Sequence, residues 1–212
     1  MRSLLRARMD IGAADEVTVQ AYAEQFGLHD PMLVQFGRWL GRFATGDMGI
    51  SHISGTPVAD QVLPAIGVTL SLAGSALLVA IVASILLGVA SATRAGQWPD
   101  RLITSITHAL IAIPEYALAP LLVLLFAVRF SLLPSAGFDS PASLVLPVFI
   151  LALRPISFFT VAVRSGVCQA LDSEHVLAAR ARGLSSTQAL VRHVVPHGLL
   201  PLWTMVGVWF AG

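Results

Sequence analysis

The sequence predicts an all-α fold, a polytopic bundle of membrane helices with an external amphipathic segment at its N-terminal end. Three observations carry that expectation. Of 212 residues, 56% are hydrophobic and 12% are charged, about half of the ~25% charge of an ordinary soluble domain. Uncharged stretches recur at lengths suited to a hydrocarbon core ~30 Å thick, which takes about 20 apolar residues in helix. The arginines gather in the short segments between those stretches, dense in alternate segments. Thirteen basic and twelve acidic residues leave a net charge of +1, too weak a field to attract nucleic acid. The single cysteine, Cys168, excludes an intrachain disulfide and an all-cysteine metal site.

Taken in order, residues 1–60 hold no apolar run that could cross a membrane and no signal-peptide core. Residues 17–26 and 31–43 read as short amphipathic helices, with Val19, Tyr22 and Phe26, then Leu33, Phe36 and Leu40, at helical spacing. Residues 61–212 form the expected transmembrane domain. Its first span, 66–92, lies in a stretch without charge between Asp60 and Arg94. Pro64 is expected at that helix's start, where proline is tolerated, and Gly74, Ser75, Ser84 and Gly88 offer small faces for close packing. The second span, 102–128, is interrupted by Pro114-Glu115, and a break is expected near Ile113 because proline removes a helix hydrogen bond. The third, 140–163, carries Arg154-Pro155. The fourth, 198–212, is uncharged but only fifteen residues long, so it reads as an incomplete span.

Orientation follows from arginine in the short loops. Arg94 and Arg101 follow the first span, Arg129 the second, and Arg164, Arg180, Arg182 and Arg192 the third. Six against one place the first and third loops in the cytoplasm and residues 1–60 outside, even though the latter carry five arginines.

The cytoplasmic loop, 164–197, is long for a connection between membrane helices. Gly183 divides it into two helix-forming runs. The first starts at Asp172 as N-cap and ends with Arg180 and Arg182, whose charge suits the negative end of a helix dipole, with Gly183 just past the end. The second opens with Ser185-Ser186-Thr187-Gln188, the spacing of a capping box, and is expected to stop at Pro196. Leu177, Ala181 and Leu184 lie along one side of the first run, and Leu190, Val191, Val194 and Val195 along one side of the second. A helical hairpin with apolar residues reaching its tip suits docking into a groove on a partner; a solvated loop folded back on its own bundle is the plainer alternative.

The stretch LAARARGLSSTQALVRHVVP, residues 177–196, resembles the EAA loop of ABC-transporter permease subunits. Ala178, Ala179, Gly183, Val195 and Pro196 fall on that pattern, while Leu177 replaces its glutamate and Val195 the leucine of its L-P pair. The segments GLHDPMLVQFGRWL (27–40), GDMGIS (46–51), TPVADQVLPAIGVTLSL (56–72) and ARARGLSSTQALVRHVVPHGLLP (179–201) look most like the dipeptide, oligopeptide and nickel importer branch. The resemblance implies a type I ABC importer permease-like fold in a bacterial inner membrane. It implies that the hairpin couples to ATP-binding subunits, with Arg180 and Arg182 meeting acidic groups and Leu184 filling a groove. It also implies a second permease subunit, an external substrate-binding protein and surrounding lipid as partners. Such permeases usually have one more helix before the external segment and continue through a sixth, so the chain reads as the middle of a permease, either working or a non-functional remnant.

Glu115 and Arg154 interrupt membrane segments, where a charge costs roughly 2.5–3.5 kcal/mol by insertion scales. They are candidates for lining the substrate path and pairing with each other, against the plainer reading in which each reaches a helix break, backbone or headgroups. His193 and His197 have metal-ligand spacing, but without the glutamate of the HExxH pattern, and His108 is expected as a packing residue. An intramembrane enzyme built on Glu115, His108 and the loop histidines is the competing class. No P-loop pattern, no lysine and no nucleophile motif occur, so no catalytic residue, metal or cofactor is expected here and ATP hydrolysis would fall to a partner.

Overall fold

The structure, a computed structural model, describes residues 30–51, 54–134, 137 and 140–211; the expected amphipathic run at 17–26 lies outside them. The chain separates into two compact units, Met1–Thr69 and Leu70–Gly212.

In the first unit, α1 (Met32–Ala44) has no buried residue. Phe36, Trp39 and Phe43 form a stacked row, with ring centroids 5.9 and 5.4 Å apart. Asp30 holds the start of the helix, its carboxylate accepting from Arg38 at 2.6 Å and its carbonyl from Gln35 at 2.7 Å. The connection to α2 (Val58–Ala92) is a compact turn in which Ser51 N–H donates to Thr56 O and Val58 N–H to Gly49 O, both at 2.9 Å. Pro64 lies inside α2, not at its start, because the helix begins eight residues before the expected span.

In the second unit α2 leads to α3 (Trp98–Ala112), then to α4 (Glu115–Val123), which continues as a π-helical segment over Leu124–Arg129. The break at Ile113-Pro114 falls where the proline placed it, with Ile113 in extended conformation, but it bends the chain by 100°. Next comes α5 (Pro141–Leu171), one unbroken helix through Pro147 and Pro155. The helices α2 and α5 are long and apolar enough to cross a membrane, and the bent α3–α4 pair gives a third crossing if it counts as one.

The core is built on α5. Phe159, Val163, Val167 and Ala170 recur at helical spacing and are buried with Ala80 and Ala92 of α2, and with Val176, Val194 and Leu202. The buried face of α2 is Ala76, Ala80, Ser84, Gly88 and Ala92, a four-residue ridge of small side chains. Ser84 and Gly88 therefore pack as expected, whereas Gly74 meets nothing within 4 Å. The same apolar ridge explains why α5 runs eight residues past the expected span end at 163. Val167, Ala170 and Leu171 extend its buried stripe, and Arg164 finds a partner inside the fold.

The remainder is helical almost to the end: α6 (Glu174–Ala181), α7 (Ser186–Ala189), a π-helical turn over Leu190–Val194, α8 (Val195–Gly198) and α9 (Leu200–Ala211). Pro196 does not stop the second run as expected. It occupies the first turn of α8, where its missing N–H is not needed, and the π turn before it resets the helix.

Candidate functional site

The hairpin α6–α7 is fixed by two local devices. Gly183 adopts φ +91°, a conformation that costs glycine nothing and other residues strain. Its N–H donates to Arg180 O at 2.9 Å and the next N–H, of Leu184, to Ala179 O at 3.4 Å, the paired bonds of a Schellman end. Immediately afterwards Ser185 N–H donates to Gln188 Oε1 at 3.1 Å and Gln188 N–H to Ser185 Oγ at 3.3 Å, completing the expected capping box. At the other end Asp172 caps α5, not α6; Ser173 takes the N-cap place and spends its hydroxyl on Ala170 O.

Two faces result. Val176, Ala179, Ala189 and Val194 are buried, anchoring the hairpin against the core. Leu177 and Val191 are 56% and 62% exposed, and Ala178, Arg180, Ala181, Arg182 and Gly183 are exposed beside them, with Leu184 half-buried. The apolar sides expected from spacing are thus split, Val194 turning inward and Leu177 and Val191 outward. Pro196 is exposed at the base of the second arm.

Glu115 begins α4, where the positive end of a helix dipole favours a carboxylate. The 100° bend brings it to Arg154 of α5, Nη1 to Oε1 at 3.7 Å. The side chains are 40% and 53% exposed, and the distance exceeds the ~2.7–2.9 Å of a charge-assisted hydrogen bond. This is a loose ion pair open to a third group.

A second pair differs on every count. Asp100, 4% exposed, accepts from Arg164 in a fork, Nε to Oδ1 at 2.7 Å and Nη2 to Oδ2 at 2.8 Å. Gly96 N–H donates to Oδ2 at 2.8 Å, and the Ser91 hydroxyl donates to Oδ1. One carboxylate thereby ties the end of α2, the 93–97 connector, the first turn of α3 and α5 together. The sequence held a signal for this: Asp100 is the only acid between Asp60 and Glu115 and follows Pro99 in a helix's first turn, the place for a reach-back cap.

His197 Nδ1 lies 2.8 Å from the His193 carbonyl, and its ring lies 4.6 Å from that of His175, so the ring of His193 is not its partner. His108, expected as a packing residue, is exposed on α3 beside the buried Thr107. Among the described residues, no three His, Cys, Asp or Glu gather as a metal site would require.

Long apolar helices around a small-residue core, with a capped two-helix hairpin on one connection, define a polytopic α-helical membrane protein. The profile described as binding-protein-dependent transport system inner membrane component matches residues 84–212, and the chain belongs to that family, a multi-pass component of the inner membrane. It is 34% identical over 176 residues to the metal-staphylopine import system permease protein CntB of Staphylococcus aureus (strain NCTC 8325 / PS 47), covering 83% of this chain and 56% of the relative. It is 30% identical over 197 residues to the glutathione transport system permease protein GsiC of Escherichia coli (strain K12), covering 93% of this chain and 64% of the relative. The chain therefore spans about three fifths of the length of these curated relatives.

Proposed function

We propose that the chain forms part of a transmembrane permease subunit of an ATP-driven ABC importer for peptides or nickel. The family and the two relatives, named for metal-staphylopine and glutathione, support the transport role. The membrane helices line half of a pathway and a second permease supplies the other half. An external substrate-binding protein delivers cargo, and two cytoplasmic ATP-binding subunits switch access between the two sides. The arginine-rich loops support a cytoplasmic side for the α6–α7 hairpin and an external side for residues 1–60.

The observation that carries this reading is the hairpin itself. Its tip is locked by a Schellman end followed at once by a capping box, yet Leu177, Ala178, Arg180, Arg182 and Gly183 stay exposed. A rigid tip with Leu184 half-buried behind two exposed arginines suits a groove with an apolar floor and an acidic rim. An ATPase can bias the pathway only through contacts that differ between its nucleotide states, and this hairpin offers them.

The test is co-purification of the membrane-expressed permease with its ATP-binding subunit, wild type against Gly183→Pro. Proline cannot reach φ +91° and has no N–H for Arg180 O. Capture is expected to fall at least tenfold, and equal capture by both proteins would remove the hairpin from the coupling contact.

Glu115 and Arg154 are proposed to face the pathway. With Cys168→Ala as background, Glu115→Cys and Arg154→Cys are expected to react with a water-soluble thiol reagent at least ten times faster than Leu86→Cys. Leu86 is 67% exposed on α2 and faces lipid in this reading. Equal rates at all three positions would place the pair outside an aqueous path.

A further inference from the structure

The two ion pairs reach α5 from the two sides of α3, one from its first turn and one from the start of α4 just past its end. Asp100 in the first turn of α3 is forked to Arg164 of α5, and Glu115, just past the far end of α3, faces Arg154 of the same α5. The fifteen residues of α3 make it about 22 Å long, and the ten residues from Arg154 to Arg164 cover about 15 Å of α5. Thus α3 lies along α5, held directly at its first turn by the fork and, past the bend, only through Glu115 of α4, by a pair of very different strength. The Asp100 end is buried and fully hydrogen-bonded, and a bidentate fork fixes orientation as well as distance. The Glu115 end is open and 3.7 Å long.

The hairpin connects directly to the strong end. From Arg164 the helix α5 runs without a break to Leu171, and Asp172 and Ser173 alone separate it from α6. That is about 12 Å of rigid helix between the fork and the hairpin's base. Val176 and Val194 of the hairpin share one buried cluster with Val167 and Ala170 of α5, so a displaced hairpin moves that end of α5. Apolar side chains in contact can slide past each other, whereas the fork carries both pull and rotation. It passes them to α3 through Asp100 and to α2 through Ser91.

Resting on the permease reading above, we propose that Asp100 and Arg164 are positioning residues for the transport switch. They are the fixed joint through which motion of the hairpin turns α3 as a lever, and Glu115–Arg154 is the catch that releases at the lever's far end. The joint touches neither cargo nor nucleotide.

The experiment uses the assembled importer, permease with its ATP-binding subunits, carrying Cys168→Ala and a reporter cysteine at Tyr116, which is 81% exposed beside the bend. Labelling by a membrane-impermeant maleimide is compared without nucleotide and after trapping with ATP and vanadate. In the wild-type joint the rate is expected to change at least fivefold on trapping. Asp100→Asn and Arg164→Lys both remove the fork while leaving polar groups in place. Both are expected to shrink that change below twofold, while ATP-subunit capture and the rate of ATP hydrolysis stay within about twofold of wild type. A joint that served stability alone would lower capture and labelling together. Ser91→Ala, which removes one hydroxyl and keeps the ion pair, is the gentler variant and is expected to give an intermediate change.

A fivefold change retained in Asp100→Asn and Arg164→Lys would overturn the joint and leave the permease reading standing. No ATP-subunit capture by the wild type, or no change on trapping there, would overturn both.

Discussion

Arg164→Ala is expected to destabilise the bundle by about 3 kcal/mol, the low end of the loss from breaking a buried ion pair. The low end applies because Arg164 is itself 34% exposed, and water can enter where its guanidinium lay. The loss comes mainly from Asp100, whose side chain is 6% exposed and would keep its charge with the Ser91 hydroxyl, the Gly96 N–H and a long bond from the Thr104 hydroxyl to satisfy it. Removing both charges, with Arg164→Met and Asp100→Asn together, is expected to cost no more than about half as much, because no unpaired charge then stays buried. The measurement is unfolding of the purified protein by SDS in mixed micelles, read as a double-mutant cycle. If the single and double variants unfold alike, Asp100 is not held by its partner in the way the fork implies.

That pair also marks the limit of what the sequence discloses. Spans were legible because a membrane imposes a length, and the uncharged stretch before Arg94 could hardly be anything else. The hairpin was legible because its devices are local. Gly183 and the Ser185–Gln188 box lie within a few residues of the bonds they make, and the structure places both where spacing put them. The break at Pro114 was legible, but its 100° angle was not, since a proline says that a bond is missing and nothing about where the chain goes next. Asp100 and Arg164 are 64 residues apart. Each looks alone like a charge at the edge of a span, and Arg164 counted only as a marker of orientation. Arg154 and Glu115 stand out as candidate partners because both are anomalous inside apolar stretches. Pro196 departs from its local expectation for the opposite reason: the tertiary fold overrides the local rule, since α8 and α9 pack onto α5 and the π turn absorbs the proline.

A close glycine–glycine approach between α5 and α8 is also invisible in composition, and it carries the second large effect. A Cβ added to Gly166 of α5 would lie 2.3 Å from the carbonyl oxygen of Gly198 and 3.1 Å from its carbonyl carbon. A Cβ on Gly198 would lie 2.9 Å from both N and Cα of Val167. Both obstacles are backbone, which cannot rotate aside as a side-chain tip can. Gly166→Ala must therefore push α5 and α8 apart, and the expected cost is about 3 kcal/mol, the upper part of the usual range for overpacking. Gly74→Ala is the matched control. It is also a glycine inside a membrane-crossing helix, but nothing lies within 4 Å of its Cβ, and better helix propensity should leave it neutral or stabilising by up to ~1 kcal/mol. The hairpin closes between α5 and α8, so separating them spreads its base without touching its tip. Gly166→Ala is thus expected to unfold at lower SDS than wild type and also to capture less ATP-binding subunit, while Gly74→Ala does neither. If the two alanine variants behave alike in SDS, the backbone contact is not what holds α5 to α8. If Gly166→Ala loses stability but keeps full capture, the tip alone makes the coupling contact and the spacing of its base is immaterial.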